Sequence, residues 1–391
     1  MSLTTGPSDH LPDPAPDRRW RLLDRLVVVV FCLGLVVPGA LLAAGRRSAE
    51  IENRPLLKVP AFAIEKLLDP AYYAGIDKAL TDNDPIRPYA VRLRGEAYWR
   101  LGGSGNPAVI KGRGTWLFTS EEIQARCELS AQDVTAALDR ARNAFVAAGQ
   151  DVRFVLAPDK HAVYPEQIDP ATPYPAPCTD VRREEMASAL DARSAWAING
   201  WATLSATRAA HGAGTPLYYT QDSHWTPSGA LAVIRPLIES LGAGLWSDGD
   251  VVRGPMRRVA MELARQIGLR HAEIVDAPRV RPGVMLTRTP IELPVKTTGA
   301  RAVYRIVATG DRPLVPGVTV IVYDSFFGLN IPSIAPFFAE SIWIHEGDLV
   351  NHPEIGSLVP RADRVILERV ERGLYFTRVD ELLATLVRAP D

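Results

Sequence analysis

Cysteine is scarce in this chain: Cys32, Cys127 and Cys178 are the three in 391 residues. No C-x-x-C and no Cys/His pair at ligand spacing occurs, which argues against a structural zinc site. Charge of one sign is lacking as well, since 44 Lys and Arg stand against 45 Asp and Glu, for a net charge of -1. With no run of like charges, nothing global favours nucleic acid as a partner. Internal repeats are missing, and so are long apolar runs, with one exception. Leu26 to Ala44 (LVVVVFCLGLVVPGALLAA) holds no charge over about 19 residues, close to the ~20 that cross a hydrocarbon core.

Arg18, Arg19, Arg21 and Arg25 precede that run while only Arg46 and Arg47 follow it. The positive-inside bias therefore predicts a cytoplasmic N-terminus and an extracytoplasmic bulk. A cleaved signal peptide is the competing reading, since Ala43-Ala44-Gly45 offers a small-residue site. The long polar region before the run and its length favour an anchor. This topology leaves Cys127 and Cys178 in a compartment where disulfides persist. A bridge between them would close a loop of about 50 residues, for which the chain-entropy model gives roughly 4 kcal/mol; two free buried thiols are the alternative, and both stay open.

What is present is a globular composition, 47% hydrophobic and 23% charged, in a length that allows one large domain or two ordinary ones. The expected organisation is a cytoplasmic tail over 1–25, a transmembrane signal-anchor over 26–44, a helical stalk over 45–105 and a catalytic domain over 106–391. Within the last, Ala108-Val109-Ile110 and Trp116-Leu117-Phe118 flank a Gly-rich turn and read as strands. Val152–Leu156, Pro216–Tyr219, Val318–Val322, Ser341–His345 and Arg364–Leu367 read as further strands. Helices are expected over Ala131–Ala148, Glu184–Ala197, Ser228–Leu241, Met256–Ile267 and Val379–Val387, and Asp276–Val295 reads as a Pro-rich excursion. This alternation predicts an α/β domain with a mainly parallel sheet flanked by helices.

In such sheets functional groups gather beyond the carboxyl ends of strands. Ala157-Pro158-Asp159-Lys160, Asp222-Ser223-His224, Asp324-Ser325 and His345-Glu346-Gly347 all fall at expected strand ends. A serine hydroxyl becomes a nucleophile when a base takes its proton, and a carboxylate fixes the tautomer of that base. Ser325 is the candidate nucleophile, His224 the base and Asp222 its orienter. The backbone N–H of Ser325 or Phe326 is the candidate oxyanion donor. The plainer readings are a capping serine after Asp324 and an Asx turn at Asp222. Asp159-Lys160-His161 repeats the Asp-x-His spacing, so spacing alone does not rank His224 above His161. A metal on Asp222 and His224 would need a third ligand that the sequence does not single out, and no metal or cofactor is expected.

Asp222-Ser223-His224-Trp225-Thr226 with Gly229-Ala230, Ala157-Pro158-Asp159-Lys160 with Tyr164-Pro165-Glu166, Gly112-x-Gly114-x-Trp116-Leu117-Phe118, Glu52-Asn53-Arg54 and Asp324-Ser325-Phe326 together resemble the alginate O-acetyltransferase (AlgJ/AlgX-like) family. The resemblance runs from about Glu52 to the Glu371-Arg372 region. It implies an SGNH-hydrolase-like fold in circularly permuted order, with the Asp/His pair before the serine. It also implies extracytoplasmic transfer of acetyl groups to a polysaccharide, beside a membrane-bound O-acyltransferase that supplies them. On that resemblance Ser325, His224 and Asp222 match the nucleophile, base and orienter, and His161 loses its claim. Lys160 and Trp225 are expected to meet substrate, and Asn351, like Gly347, lies after the next strand, a position from which it could reach substrate or the oxyanion. Many members carry Gly where this chain has Tyr323. The same triad with water as acceptor would make an acetyl esterase, and a glycan-binding scaffold without activity is the non-enzymatic alternative.

Overall fold

The computed structural model of the chain describes residues 18–48, 56–123, 128–172, 176–211, 215–292, 303–375 and 378–387. Cys127, and with it the expected Cys127–Cys178 pairing, lies outside these residues. Two compact units are present, Met1–Leu93 and Arg94–Asp391.

In the first unit the helix Arg18–Ala43 contains Leu23–Ala43, 21 residues of high mean hydropathy that the protein does not bury. That length is enough to cross a membrane. Two neighbouring polar residues then organise the unit. The Ser48 N–H donates to the Asn83 carbonyl at 3.0 Å, the Asn83 side chain donates to the Leu57 carbonyl at 2.8 Å, and the Leu57 N–H donates to Asp82 at 2.7 Å. The C-terminal end of helix Pro70–Asn83 thus ties down the chain on both sides of Ile51. Asp69 caps the other end through the Ala71 N–H at 2.9 Å, ahead of Pro70 at the first helical position, where a missing N–H costs nothing.

The second unit is an α/β domain. Its strands are β1 (Val109–Lys111), β2 (Leu117–Thr119), β3 (Asp151–Ala157), β4 (Ala197–Ile198), β5 (Val251–Val252), β6 (Met256–Ala260), β7 (Ala272–Asp276), β8 (Arg279–Val280), β9 (Met285–Pro290), β10 (Tyr304–Thr309), β11 (Val315–Tyr323), β12 (Phe338–His345) and β13 (Arg364–Val370). Seven form one sheet in the order β4-β3-β13-β11-β12-β10-β9. The first five are parallel, while β10 pairs antiparallel with both β12 and β9. The mainly parallel sheet expected from the sequence is present, with an antiparallel edge that the Pro-rich 276–295 segment concealed.

Parallel strands are covered on both faces and so read as continuous apolar runs. The period of 2 still sorts them. Phe154, Leu156, Val320, Val322, Val365, Leu367, Ile342 and Ile344 pack on one side with helices Ala131–Ala147, Ala176–Asp191 and Arg378–Val387. Val155, Ala157, Ile321, Ile366 and Trp343 pack on the other side with helix Pro227–Leu241. Each side chain buried this way contributes about 1.5–3 kcal/mol relative to exposure.

Three expected elements differ. Met256–Ile267 has helical spacing, yet Met256–Ala260 is a strand paired from Met256↔Asp276 to Ala260↔Ala272, and only Glu262–Gln266 is helical. Cross-strand pairing with the β-branched Ile274 and Val275 overrides local propensity here. The helix expected over Glu184–Ala197 runs instead from Ala176 to Asp191, and Ala197 joins the sheet as β4. Pro216–Tyr219 contributes only the single bridge Tyr218↔Trp225.

Candidate active site

Because β3, β11, β12 and β13 run parallel, their carboxyl ends share one rim; Tyr323 sits opposite His345, and Val370 opposite Ala157. Pro158-Asp159, Asp324-Ser325, Glu346 and Glu371-Arg372 therefore emerge side by side. Asp324 shapes the turn at the end of β11. Its N–H donates to Glu368 at 3.0 Å, one carboxylate oxygen accepts the Val370 N–H at 2.7 Å, and the other accepts the Phe326 N–H at 2.7 Å. The carboxylate thus bonds the neighbouring strand and starts the short helix Ser325–Gly328. Ser325 is left partly exposed at its tip.

The Phe326 amide, one of two expected oxyanion donors, is committed to Asp324. Among the described residues the Ser325 N–H has no hydrogen-bond partner, so it is the remaining backbone donor at this turn. Phe326 is fully buried, with its ring centroid 5.0 Å from those of His224 and Trp225. Tyr323, before the turn, packs edge-on against Trp343 at 5.5 Å and His345 at 5.6 Å and is buried in the core below the turn.

The Asp222 segment is a loop closed by the Tyr218↔Trp225 bridge, and each residue of its motif has a task. Thr226 caps helix Pro227–Leu241, accepting the Gly229 N–H at 3.3 Å and donating to the Pro216 carbonyl at 2.7 Å. A Cβ on Gly229 would stand 2.2 Å from the Leu217 carbonyl oxygen, so only glycine lets the helix seat on the hairpin. The Trp225 indole N–H donates to the Phe326 carbonyl at 3.3 Å, joining this loop to the serine turn.

Lys160 is fully buried, and its ammonium donates to the carbonyls of Leu117, Tyr219 (3.3 Å), Thr220 (3.3 Å) and Asp222 (2.7 Å). Burial pushes its pKa down to about 8 against the pull of Glu122, Asp222 and other acids.

These elements bring three expected side chains together. The His224 ring sets Nδ1 2.7 Å from Asp222 Oδ1 and Nε2 2.9 Å from Ser325 Oγ. With its proton on Nδ1, the ring presents a lone pair to the serine hydroxyl. Burial alone would raise the Asp222 carboxyl, but hydrogen bonds from the ring and backbone of His224 and from the Glu262 N–H outweigh it and hold the group below its ordinary value. Asp222 stays ionised beside the base.

Other expectations are corrected by position. Lys160 does not face solvent and positions the Asp222 loop instead. Trp225 is 2% exposed and is a packing residue under the serine turn. Asn351, by contrast, is exposed, and its amide donates to the Gly347 carbonyl at 2.7 Å, which leaves the expected contact with substrate open. His161, the rival base, is buried in a separate network, with Nε2 2.7 Å from Arg183 and Nδ1 3.6 Å from Glu122.

Sequence reasoning missed Glu262, which lies 40 positions from Asp222. One of its oxygens accepts from the Ser223 hydroxyl at 2.8 Å and stands 3.4 Å from His224 Nδ1. Asp222, His224 and Glu262 thus offer three ligand atoms within 4.8 Å of one another, supplying the third group the sequence did not reveal. A cation there would have to replace the Asp222–His224 hydrogen bond that sets the tautomer. Glu262 has no motif around it; the β6–β7 hairpin returns it to the loop.

One family model matches the region that carries the Asp-x-His motif. Residues 109–249 match the model of the SGNH hydrolase-like domain, acetyltransferase AlgX. That span includes Asp222 and His224 and stops short of Ser325. A Pseudomonas syringae pv. tomato protein described as "Probable alginate O-acetylase AlgJ" is 28% identical over 158 residues, 40% of this chain and 39% of its own. Its Pseudomonas putida counterpart is 24% identical over 168 residues, 42% of each. The chain spans about two-fifths of the length of these curated relatives. Among solved structures, the O-acetyltransferase domain of Pseudomonas putida AlgJ aligns with a TM-score of 0.48 at 16% identity, covering 72% of this chain and 99% of that domain. Residues 109–249, with their Asp-x-His loop, thus match the SGNH hydrolase-like domain of the acetyltransferase AlgX over part of the chain.

Proposed function

We propose that the chain is an extracytoplasmic O-acetyltransferase that acts on a polysaccharide through an acetyl-serine intermediate on Ser325. The observation that carries this reading is the unbroken line of hydrogen bonds from Asp222 through His224 to Ser325. In the first half-reaction His224 Nε2 takes the Ser325 hydroxyl proton as Oγ attacks the acetyl carbonyl carbon. The Ser325 N–H donates to the oxyanion. The bond to the donor's leaving group then breaks, and His224 returns the proton to that group. In the second half, His224 removes a proton from a sugar hydroxyl, whose oxygen attacks the acetyl-serine. The new ester leaves and Ser325 recovers its proton. Asp222 stabilises the imidazolium in both halves.

The apolar helix Leu23–Ala43 supports an anchor that leaves the domain outside the cytoplasm, at the inner or cytoplasmic membrane. The curated relatives are described as probable alginate O-acetylases, which supports a polysaccharide as acceptor; a membrane-bound O-acyltransferase as the source of acetyl groups is what the family resemblance implies. A chromogenic acetyl ester tests the chemistry. Ser325→Ala and His224→Ala should each abolish acetyl release, and His161→Ala should retain most of it; equal loss in all three would overturn the assignment. Intact mass after mixing should show one acetyl group on Ser325, and added oligosaccharide should carry it away faster than water does. Discharge to water alone would make the chain an esterase.

A further inference from the structure

We propose that an arginine-lined cleft on the β5–β8 side of the second unit binds an anionic stretch of the acceptor, a glycan bearing repeated carboxylates or phosphates. The proposal rests on the polysaccharide acceptor of the preceding reading and adds a second, non-catalytic site to it. The cleft has a volume of about 630 Å³, and its lining contains Arg253, Arg257, Arg279 and Arg281 with no acidic residue. Some arginines of this unit stand against carboxylates, as Arg183 does with Glu371, Arg193 with Asp139 and Arg305 with Glu340. Arg257 and Arg279, by contrast, are exposed and form no ion pair among the described residues. Arg253 is 84% exposed and lies 3.9 Å from Asp276, at the outer limit of pairing. In a chain of net charge -1, this is a local excess of positive charge.

The floor beneath these guanidinium groups is rigid. Arg281 is 1% exposed, pairs with Asp250 at 3.2 Å and donates to the carbonyls of Leu245, Pro313 and Pro336. It is the one non-glycine with positive φ (48°) among the described residues, a conformation that persists where surroundings over-determine it and that recurs at ligand clamps. A Cβ on Gly254 would lie 1.7 Å from the Ala277 carbonyl oxygen, so the two sides of the hairpin touch. Five prolines complete the lining, and they lose little freedom when a ligand is bound. Guanidinium forks held on such a frame match carboxylate and phosphate oxygens.

One wall of the cleft is also joined to the serine turn by a short stretch of chain. Pro332 lines it and lies seven positions beyond Ser325, which bounds the separation of that wall from the nucleophile at about 25 Å. One polysaccharide chain can occupy the cleft and present a hydroxyl to Ser325. The volume exceeds what a single phosphate or carboxylate fills, which favours an oligomer.

The test uses the full-length protein in detergent with three probes of equal length: an oligouronate, a polyol-phosphate oligomer and a neutral glucan. At least one anionic oligomer should bind about tenfold more tightly than the glucan, and its affinity should fall as salt rises from about 50 to about 300 mM. Which of the two binds identifies the anion. The triple exchange Arg253→Gln/Arg257→Gln/Arg279→Gln should lose about tenfold in that affinity, with acetyl release from the chromogenic ester unchanged. The corresponding triple Lys variant should recover part of the binding. Equal binding by the Gln variant, glucan binding as tightly as the anionic oligomers, or inorganic phosphate binding as tightly as an oligomer would each overturn the proposal. Failure of the acetyl-transfer reading shows separately, as transfer that survives Ser325→Ala.

Discussion

Asp222→Asn is the exchange whose outcome depends most directly on the geometry of the base. One carboxylate oxygen accepts from the ring and backbone of His224 at 2.7 and 3.0 Å, and the other accepts the Glu262 N–H at 2.9 Å. An amide has only one acceptor oxygen. If that oxygen faces Glu262, the NH2 group faces His224 and favours the tautomer that carries its proton on Nε2, which cannot accept from Ser325. If it faces His224 instead, a buried Glu262 N–H is left opposite a donor, which costs about 1–3 kcal/mol. In the Ser-His-Asp template the same exchange lowers kcat about 10⁴-fold, or about 5 kcal/mol. Here Glu262 stands 3.4 Å from the same ring nitrogen and can take part of the role. We therefore expect a loss of about 10²–10³ in kcat for Asp222→Asn, under about tenfold for Glu262→Gln, and about 10⁴ for the two together. Burst and steady-state rates with a chromogenic acetyl ester, alongside circular dichroism to confirm folding, measure all three. Activity of Asp222→Asn within tenfold of the parent would refute the orienting role, and a double variant no worse than Asp222→Asn would refute the part given to Glu262.

Two further expectations concern the scaffold. Lys160→Met keeps the buried stem but takes the ammonium donor from the carbonyls of Leu117, Tyr219 and Asp222, while that of Thr220 keeps the Leu117 N–H. It should destabilise the domain by about 3–5 kcal/mol in urea unfolding, and a loss below about 1 kcal/mol would contradict the positioning role. Glu368 is fully buried beneath the serine turn, and burial together with the charge of Asp324 raises its pKa well above the ordinary value. The folded state then holds that proton more tightly than the unfolded state does. Its contribution is complete below the unfolded value, about 4, and is lost as pH rises toward and through the folded one. Glu368→Gln removes this titration, so the Tm of the variant should gain on the parent as pH rises from about 4 to about 8; parallel profiles would show that Glu368 is ionised.

Legibility in the sequence followed the range of the interactions involved. Strands such as Val152–Leu156 and Val318–Val322 announce themselves because a covered parallel strand must be apolar throughout. The Asp222 motif is legible because its cap, its glycine and its indole act within a few residues of one another. Met256–Ala260 was hidden because its partner strand, not its own spacing, decides its conformation. Lys160 reads as a residue that meets substrate, since sequence does not reveal four carbonyls converging on one point. Glu262 was invisible for a related reason: a carboxylate returned by a hairpin from 40 positions away has no local signature.

The burial of Lys160 also bears on the fidelity of acyl transfer. An acetyl-serine is open to attack by any nearby amine, and the amide formed would be far harder to reverse than the sugar ester. Lys160 is bonded to the carbonyl of Asp222, the residue that orients the base. Its nitrogen is fully buried and surrounded by acceptors, so it has no free lone pair to offer. A lysine can thus sit beside the machinery proposed for a Ser325 ester without becoming its acceptor, which leaves the proposed intermediate to hydroxyls arriving from solvent.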